Sequence, residues 1–122
     1  MYRYAPYYCE ENVWLLCRDL RRPGRRLQVA FISNDLRQCA LWYQRAALTP
    51  DAVVLWDYHV ILLAHEKEWS VWDLDTQLGL PTTAERYLKR TFEKEPVEER
   101  FTPMFRLMDG DEYLETFSSD RS

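Results

Sequence analysis

The sequence predicts an α+β fold, and three observations carry that prediction. Near the amino end, Val13, Leu16, Cys17 and Leu20 recur at the i, i+3, i+4, i+7 spacing of an amphipathic helix. Residues 52–64 form the longest apolar run of the chain, interrupted only by Asp57 and His59, the composition of a strand buried on both faces. A short polar connection at 65–68 leads into a second strand pattern at 69–75, and so short a link implies an antiparallel pair. Helical patterns return near the carboxyl end, so the order is helix, mostly antiparallel strands, helices.

Taken in order, residues 1–8 are rich in Tyr and hold Pro6, which favours an extended approach. The first helix is expected over 10–21, with Glu10 and Glu11 in its first turn and arginines in its last, the charge order that suits the macrodipole. Pro23-Gly24 then stops it. Residues 27–32 read as a strand, 33–37 as a turn and 39–43 as a second strand, together a hairpin. Thr49-Pro50-Asp51 breaks the chain before the central strand. Within that strand alternation puts Asp57 and His59 on one face, and Trp56 and Tyr58 on the other, in the core. An unpaired carboxylate or imidazole is costly to bury, so both polar groups need partners.

Asp73 and Asp75 share a face of the following strand, and register decides whether that face meets His59. If Ala64 pairs with Glu68 around a short loop, His59 falls opposite Asp73. A slip of two places it opposite Asp75, and a slip of one turns both aspartates away. Residues 80–83 resemble a helix start, and 84–92 carry Tyr87, Leu88 and Phe92 at helical spacing. Residues 93–100, with Pro96, read as an exposed loop, 101–108 as another strand, 109–110 as a turn and 111–117 as a short helix. No internal repeat is found.

A chain of 122 residues suits a single domain, 1–122, that buries about two thirds of its unfolded surface. The formal charge of −4 leaves no global basic field for nucleic acid, and the local cluster of Arg18, Arg21, Arg22, Arg25 and Arg26 reads as a solvated helix end. The sequence has neither a membrane-spanning apolar run nor a signal-peptide layout, so a soluble cytoplasmic chain is expected. Three cysteines without CxxC spacing suggest neither a disulfide framework nor a zinc site.

Cys9 immediately precedes the first helix, where N–H groups and the dipole favour a thiolate. Glu10 and Glu11 oppose that, so an imidazolium is needed to keep the sulfur ionised. His59 suits better than His65, which falls in the expected turn. A thiol at a helix start, a His on a central strand and a carboxylate, Asp73 or Asp75, on the strand beside it make the arrangement of papain-like and transglutaminase-like enzymes. Cys17 and Cys39 read as packing residues.

Five blocks then become recognisable: Tyr8-Cys9-Glu10-Glu11-Asn12-Val13-Trp14, Phe31-Ile32-Ser33-Asn34, Val54-Leu55-Trp56-Asp57-Tyr58-His59-Val60, Trp72-Asp73-Leu74-Asp75-Thr76 and Phe117-Ser118-Ser119-Asp120-Arg121-Ser122. In this order they resemble the motifs of the protein N-terminal glutamine amidohydrolase family, over nearly the whole chain. The resemblance implies Cys9 as nucleophile, His59 as general base and Asp73, rather than Asp75, as the third member. It also implies hydrolysis of the side-chain amide of N-terminal Gln to Glu with release of ammonia, which in eukaryotes prepares a protein for arginylation and degradation.

No metal or organic cofactor is implied. The implied partners are proteins or peptides beginning with Gln, without nucleic acid or membrane, acted on by a monomer in the cytoplasm and, in a eukaryote, also the nucleus. The backbone N–H of Cys9 is the first choice for an oxyanion donor. Selecting a free amino terminus requires a carboxylate near the site, for which Glu10, Glu11, Asp57 and Asp75 are candidates. Family members continue past the last block whereas this chain stops at Ser122, so it is expected to be a truncated or short relative. Two other readings are a related thiol enzyme that deamidates or cross-links internal Gln, and an inactive domain that binds N-terminal residues.

Overall fold

The structure, a computed structural model, describes residues 9–47, 49, 52–93 and 98–117, with the backbone alone at Cys9 and Phe117. The extended segment expected at 1–8, the block at 118–122 and the middle of the expected loop at 93–100 lie outside the described residues. In chain order the elements are α1 (Cys9–Leu20), β1 (Arg26–Ser33), β2 (Cys39–Leu41), β3 (Val54–Trp56), β4 (His59–His65), β5 (Trp69–Trp72), β6 (Thr82–Thr83), α2 (Ala84–Phe92), a 3-10 turn (Glu99–Phe101), β7 (Met104–Asp109) and α3 (Gly110–Phe117). Five strands make one antiparallel sheet in the order β6-β5-β4-β1-β7, and β2 and β3 form a separate pair. The fold is α+β, as expected.

The two faces of the large sheet have different covers. Val60, Leu62 and Ala64 of β4, with Val29 of β1, pack on Val13, Leu16 and Cys17 of α1 and on Tyr113 of α3. Ile61 of β4 belongs to the other core, with Ile32, Val71, Cys39, Leu41 and Tyr87 of α2. This alternation is the period-2 pattern of a strand between two layers. Thr83 caps α2, its hydroxyl accepting the Arg86 N–H at 3.3 Å. Near the β7 edge the second layer thins, and Phe105 and Leu107 stand about half exposed beside a groove of 320 Å³. No helix among the described residues is long and apolar enough to cross a membrane.

Three expectations are corrected. The hairpin of 27–32 with 39–43 does not form, because β1 has both edges occupied, pairing Phe31 with Val60 of β4 and with Arg106 of β7. Asn34 diverts the chain. Its side chain accepts the Gln38 N–H at 2.8 Å and donates to the carbonyls of Gln38, Arg100 and Thr102, which closes the turn and sends Cys39 away to pair with Trp56. The run at 52–64 is two strands in two sheets, broken by a bend at Asp57, whose exposed side chain reaches water while its carbonyl accepts the Ser33 hydroxyl at 2.9 Å. Leaving the sheet spares a carboxylate from burial without a partner. Finally, the expected turn at 109–110 is absent: β7 passes directly into α3 at Gly110, where a Cβ would lie 2.8 Å from that of Leu27.

The direction of α1 follows from contacts at its ends. Arg25 donates both to the carbonyl of Leu20 at 2.9 Å and to Glu66 at 2.7 Å, which fixes the helix's last turn beside the β4–β5 connection. At the other end the Tyr113 hydroxyl donates to the carbonyl of Glu10 at 2.7 Å, and the Tyr113 ring lies 5.9 Å from that of Phe31, the partner of Val60. A twelve-residue helix spans about 18 Å and β4 about 20 Å. The helix therefore runs alongside β4 and begins near the end of the strand where His59 stands.

Candidate active site

His59 is the first residue of β4 and is fully buried. Its Nε2 lies 3.0 Å from Oδ1 of Asp73, itself 1% exposed. An ionised carboxylate only accepts, so Nε2 carries a proton, and the proton that the imidazolium gains or loses is the one on Nδ1. Burial alone would raise the Asp73 carboxyl. The charge and hydrogen bond of His59, the Tyr87 hydroxyl and the Asp75 N–H outweigh it and hold the carboxyl below the usual aspartate range.

The two side chains meet through a turn rather than through the strand register. His65 pairs with Trp69 and Leu62 with Trp72, a register two residues from the one that sets His59 against Asp73. Extended, that register would bring Asp75 opposite His59. The strand instead ends at Trp72 and the chain turns: the Asp75 N–H donates to Oδ1 of Asp73 at 2.8 Å, and the Thr76 N–H to the Asp73 carbonyl at 3.2 Å. This local turn swings Asp73 onto the imidazole.

The second oxygen of Asp73 has its own donors. The Tyr87 hydroxyl reaches Oδ2 at 2.6 Å, and Nε2 of Gln44 lies 3.5 Å from it. Tyr87, fully buried on α2, has its phenol pushed well above the usual range by burial and by the neighbouring Asp73 charge, so it remains a neutral donor. Gln44 also accepts the Trp56 indole N–H through Oε1 at 3.1 Å. Trp56 stacks on the His59 ring, with centroids 4.8 Å apart and planes 16° apart. The expectation that Trp56 faces away from His59 is thus corrected. Alternation applies only within one strand, and the bend at Asp57 separates these two residues.

The other sequence candidates are dispersed. Glu10 and Glu11 lie in the first turn of α1, Glu10 partly buried and Glu11 exposed. Asp57 is exposed in the bend and does not share a buried face with His59. Asp75 is brought to the pair: donor atoms of His59, Asp73 and Asp75 lie within 4.8 Å of one another, a grouping with metal-ligand chemistry. Both Asp73 oxygens already accept N–H or O–H donors, so the cluster is built as a hydrogen-bond network. The side chain of Cys9 lies outside the described residues. Cys17 and Cys39 are buried, and burial first, then the Asp111 charge, pushes the Cys17 thiol to about 12.

Tyr87, Gln44 and Trp56 were not read as site residues from sequence. A tyrosine on the apolar stripe of a short helix was the available signal, because a buried phenol needs an acceptor.

Fold and site together define an α+β protein with a fully buried imidazole–carboxylate pair. Residues 4–122 match the family described as N-terminal glutamine amidase, and the chain belongs to that family. A relative from Arabidopsis thaliana, named protein N-terminal glutamine amidohydrolase, is 39% identical over 131 positions, covering 98% of this chain and 59% of its own length. Relatives of the same name from Oryza sativa subsp. indica and Drosophila ananassae are 37% and 40% identical, covering 99% and 97% of this chain and 58% and 61% of theirs. The chain thus spans about three fifths of the length of these relatives.

Proposed function

We propose that this chain hydrolyses the side-chain amide of an amino-terminal glutamine, giving amino-terminal glutamate and ammonia, with Cys9 as nucleophile, His59 as base and acid, and Asp73 orienting the ring. The observation that carries the reading is the buried His59–Asp73 bond of 3.0 Å at the end of β4 near which α1 begins. The name shared by the relatives supplies the substrate. A thiol at the start of a helix, with His and Asp on an adjoining antiparallel sheet, is in this reading a papain- or transglutaminase-like arrangement.

The Cys9 thiol passes its proton to His59 as sulfur attacks the carboxamide carbon, giving a tetrahedral oxyanion. Helix-start N–H groups, that of Cys9 first, receive the negative charge. His59 then protonates the departing nitrogen, and ammonia leaves behind a γ-glutamyl thioester. Water, deprotonated by His59, attacks the thioester, and the thiol is regenerated with release of the peptide that now begins with glutamate. These steps draw on no metal or organic cofactor. Asp75 is the carboxylate proposed to receive the substrate α-ammonium, because it stands beside the pair. Glu10, at the helix start, is the second choice. A cytoplasmic location and a role in marking proteins for degradation belong to the same proposal.

The test is ammonia release by this chain from a peptide beginning with Gln, beside its N-acetylated form, a peptide with internal Gln, and a Cys9→Ala control. Turnover confined to the free amino-terminal Gln and lost in the control is expected. Turnover on the acetylated or internal peptides would refute amino-terminal selection. Binding of the Gln peptide without ammonia release would make the chain a recognition domain instead.

A further inference from the structure

We propose that Tyr87, Gln44 and Trp56 are positioning residues that set the orientation of the His59 ring and of the Asp73 carboxylate. The inference rests on the reading of His59 as the base. A carboxylate rotates easily about its terminal torsion, since an sp³–sp² bond has broad minima. Oδ1 of Asp73 serves His59 and the Asp75 N–H, at 3.0 and 2.8 Å. Oδ2 is held from the opposite side by the Tyr87 hydroxyl at 2.6 Å, with Gln44 at 3.5 Å. Rotation that would take Oδ1 from the imidazole would also break the Tyr87 bond.

The direction of the Gln44 amide is fixed by chemistry. An indole N–H only donates, so the Trp56 contact of 3.1 Å must engage Oε1, and the amide nitrogen is left facing Asp73. One buried side chain thereby links the carboxylate that holds His59 in its plane to the indole stacked on its face at 4.8 Å. The segment bearing Gln44 is fastened to the segment bearing Asp73: Arg45 N–H to the Asp75 carbonyl, Gln77 N–H to the Tyr43 carbonyl, and the Gln77 amide to the Gln44 carbonyl, all at 2.7 Å. Tyr43 adopts φ 55°, uncommon for a residue other than glycine, to turn the chain into this position. Packing alone would be served by Phe and Leu in such sites, which would bury no polar atom.

The chain has only two histidines, so NMR of the imidazole-labelled protein resolves His59 directly, assigned by its loss in His59→Gln. Tyr87→Phe, Trp56→Phe and Trp56→Leu are compared with wild type for ammonia release and for the His59 Nε2–H signal, with circular dichroism and thermal melting to show that each is folded. Expected are a fall in kcat of about tenfold to a hundredfold at nearly constant KM, a displaced or exchange-broadened His59 signal with His65 unchanged, and a smaller loss for Trp56→Phe, which keeps a stacking ring, than for Trp56→Leu. Folded variants with wild-type kinetics and an unmoved His59 signal would overturn the proposal, as would losses of activity that only track the folded fraction. If the wild-type chain releases no ammonia, the hydrolase reading fails by itself. The NMR comparison still decides the positioning role, a moved signal supporting it and an unmoved one refuting it.

Discussion

His59 and His65 stand at opposite ends of β4, each with its ring centroid 4.8 Å from that of a tryptophan, Trp56 and Trp69 respectively. Their surroundings otherwise diverge. His59 lies flat on its indole, fully buried, with a carboxylate at 3.0 Å. His65 is tilted by 45°, partly exposed, and faces Arg26 across the sheet. An aromatic neighbour therefore does not make a base. In the proposed reading the base is set by burial together with an ionised, fully hydrogen-bonded carboxylate, an environment that fixes the tautomer and gives the imidazolium a counter-charge.

The comparison is tested most severely at its active end. His59→Gln is expected to reduce ammonia release by about 10²–10⁴, and equal activity would remove His59 from the mechanism. Asp73→Asn, which exchanges one oxygen for an amide nitrogen in the same space, should lower kcat by a similar or somewhat smaller factor through the wrong tautomer. Asp75→Asn should act mainly on KM, as a contact to the substrate ammonium. A larger kcat loss in Asp75→Asn than in Asp73→Asn would show that Asp75, the residue the register favours, is the true partner.

The two ends share a response to acid and differ in how salt alters it. Asp73 at one end and Glu66 beyond the other both have carboxyls held below their usual values, Asp73 against its burial and by His59, Glu66 by its bonds to Arg22 and Arg25. A carboxyl lowered on folding contributes stability that is present above its unfolded pKa, about 4 for either residue, and is lost as pH falls through the folded value. Urea midpoints should therefore decline as pH falls below about 4, and the decline should be shallower in Asp73→Asn and in Glu66→Gln. Raising salt to about 1 M should erase the Glu66 share, which is exposed and screened, and leave that of Asp73.

At the His65 end, Gly110→Ala should destabilise the fold by about 1–3 kcal/mol, because the new Cβ meets Leu27 Cβ at 2.8 Å and Cys17 Sγ at 3.2 Å. The smallest effect belongs to His65→Gln, with stability within about 0.5 kcal/mol of wild type. A large loss of activity there would dissolve the distinction between the two histidines.

What could be read from the residues followed local chemistry. α2 was expected over 84–92 and occupies Ala84–Phe92, because a cap, a charge order and an apolar stripe agree within one short segment. The pairing of β4 with β5 was legible from the brevity of the link between them. The partner of β1 was not, since adjacency in sequence favoured residues 39–43, and only the three-dimensional sheet shows both of its edges taken. Asp57 and Trp56 were misplaced for one reason: a continuous apolar run conceals a bend when the only polar residue to mark it is also credible as a buried group. Asp73 was named as the third member of the site through the family resemblance. The turn that brings it to His59, against the strand register, depends on bonds within residues 73–76 that pattern does not encode. Tyr87 and Gln44 come to the site from α2 and from the chain after β2, distances in sequence over which spacing carries no information.

The bond from the Tyr113 hydroxyl to the Glu10 carbonyl joins residues 103 positions apart. During synthesis α1 leaves the ribosome before α3, yet the group that holds its opening turn belongs to that later helix. Contacts of such separation form late because the intervening loop must first be closed. The geometry around residue 9 is therefore completed only after α3 has been made and docked, so a nascent chain halted before Tyr113 has its first helix without the contact that sets where that helix begins.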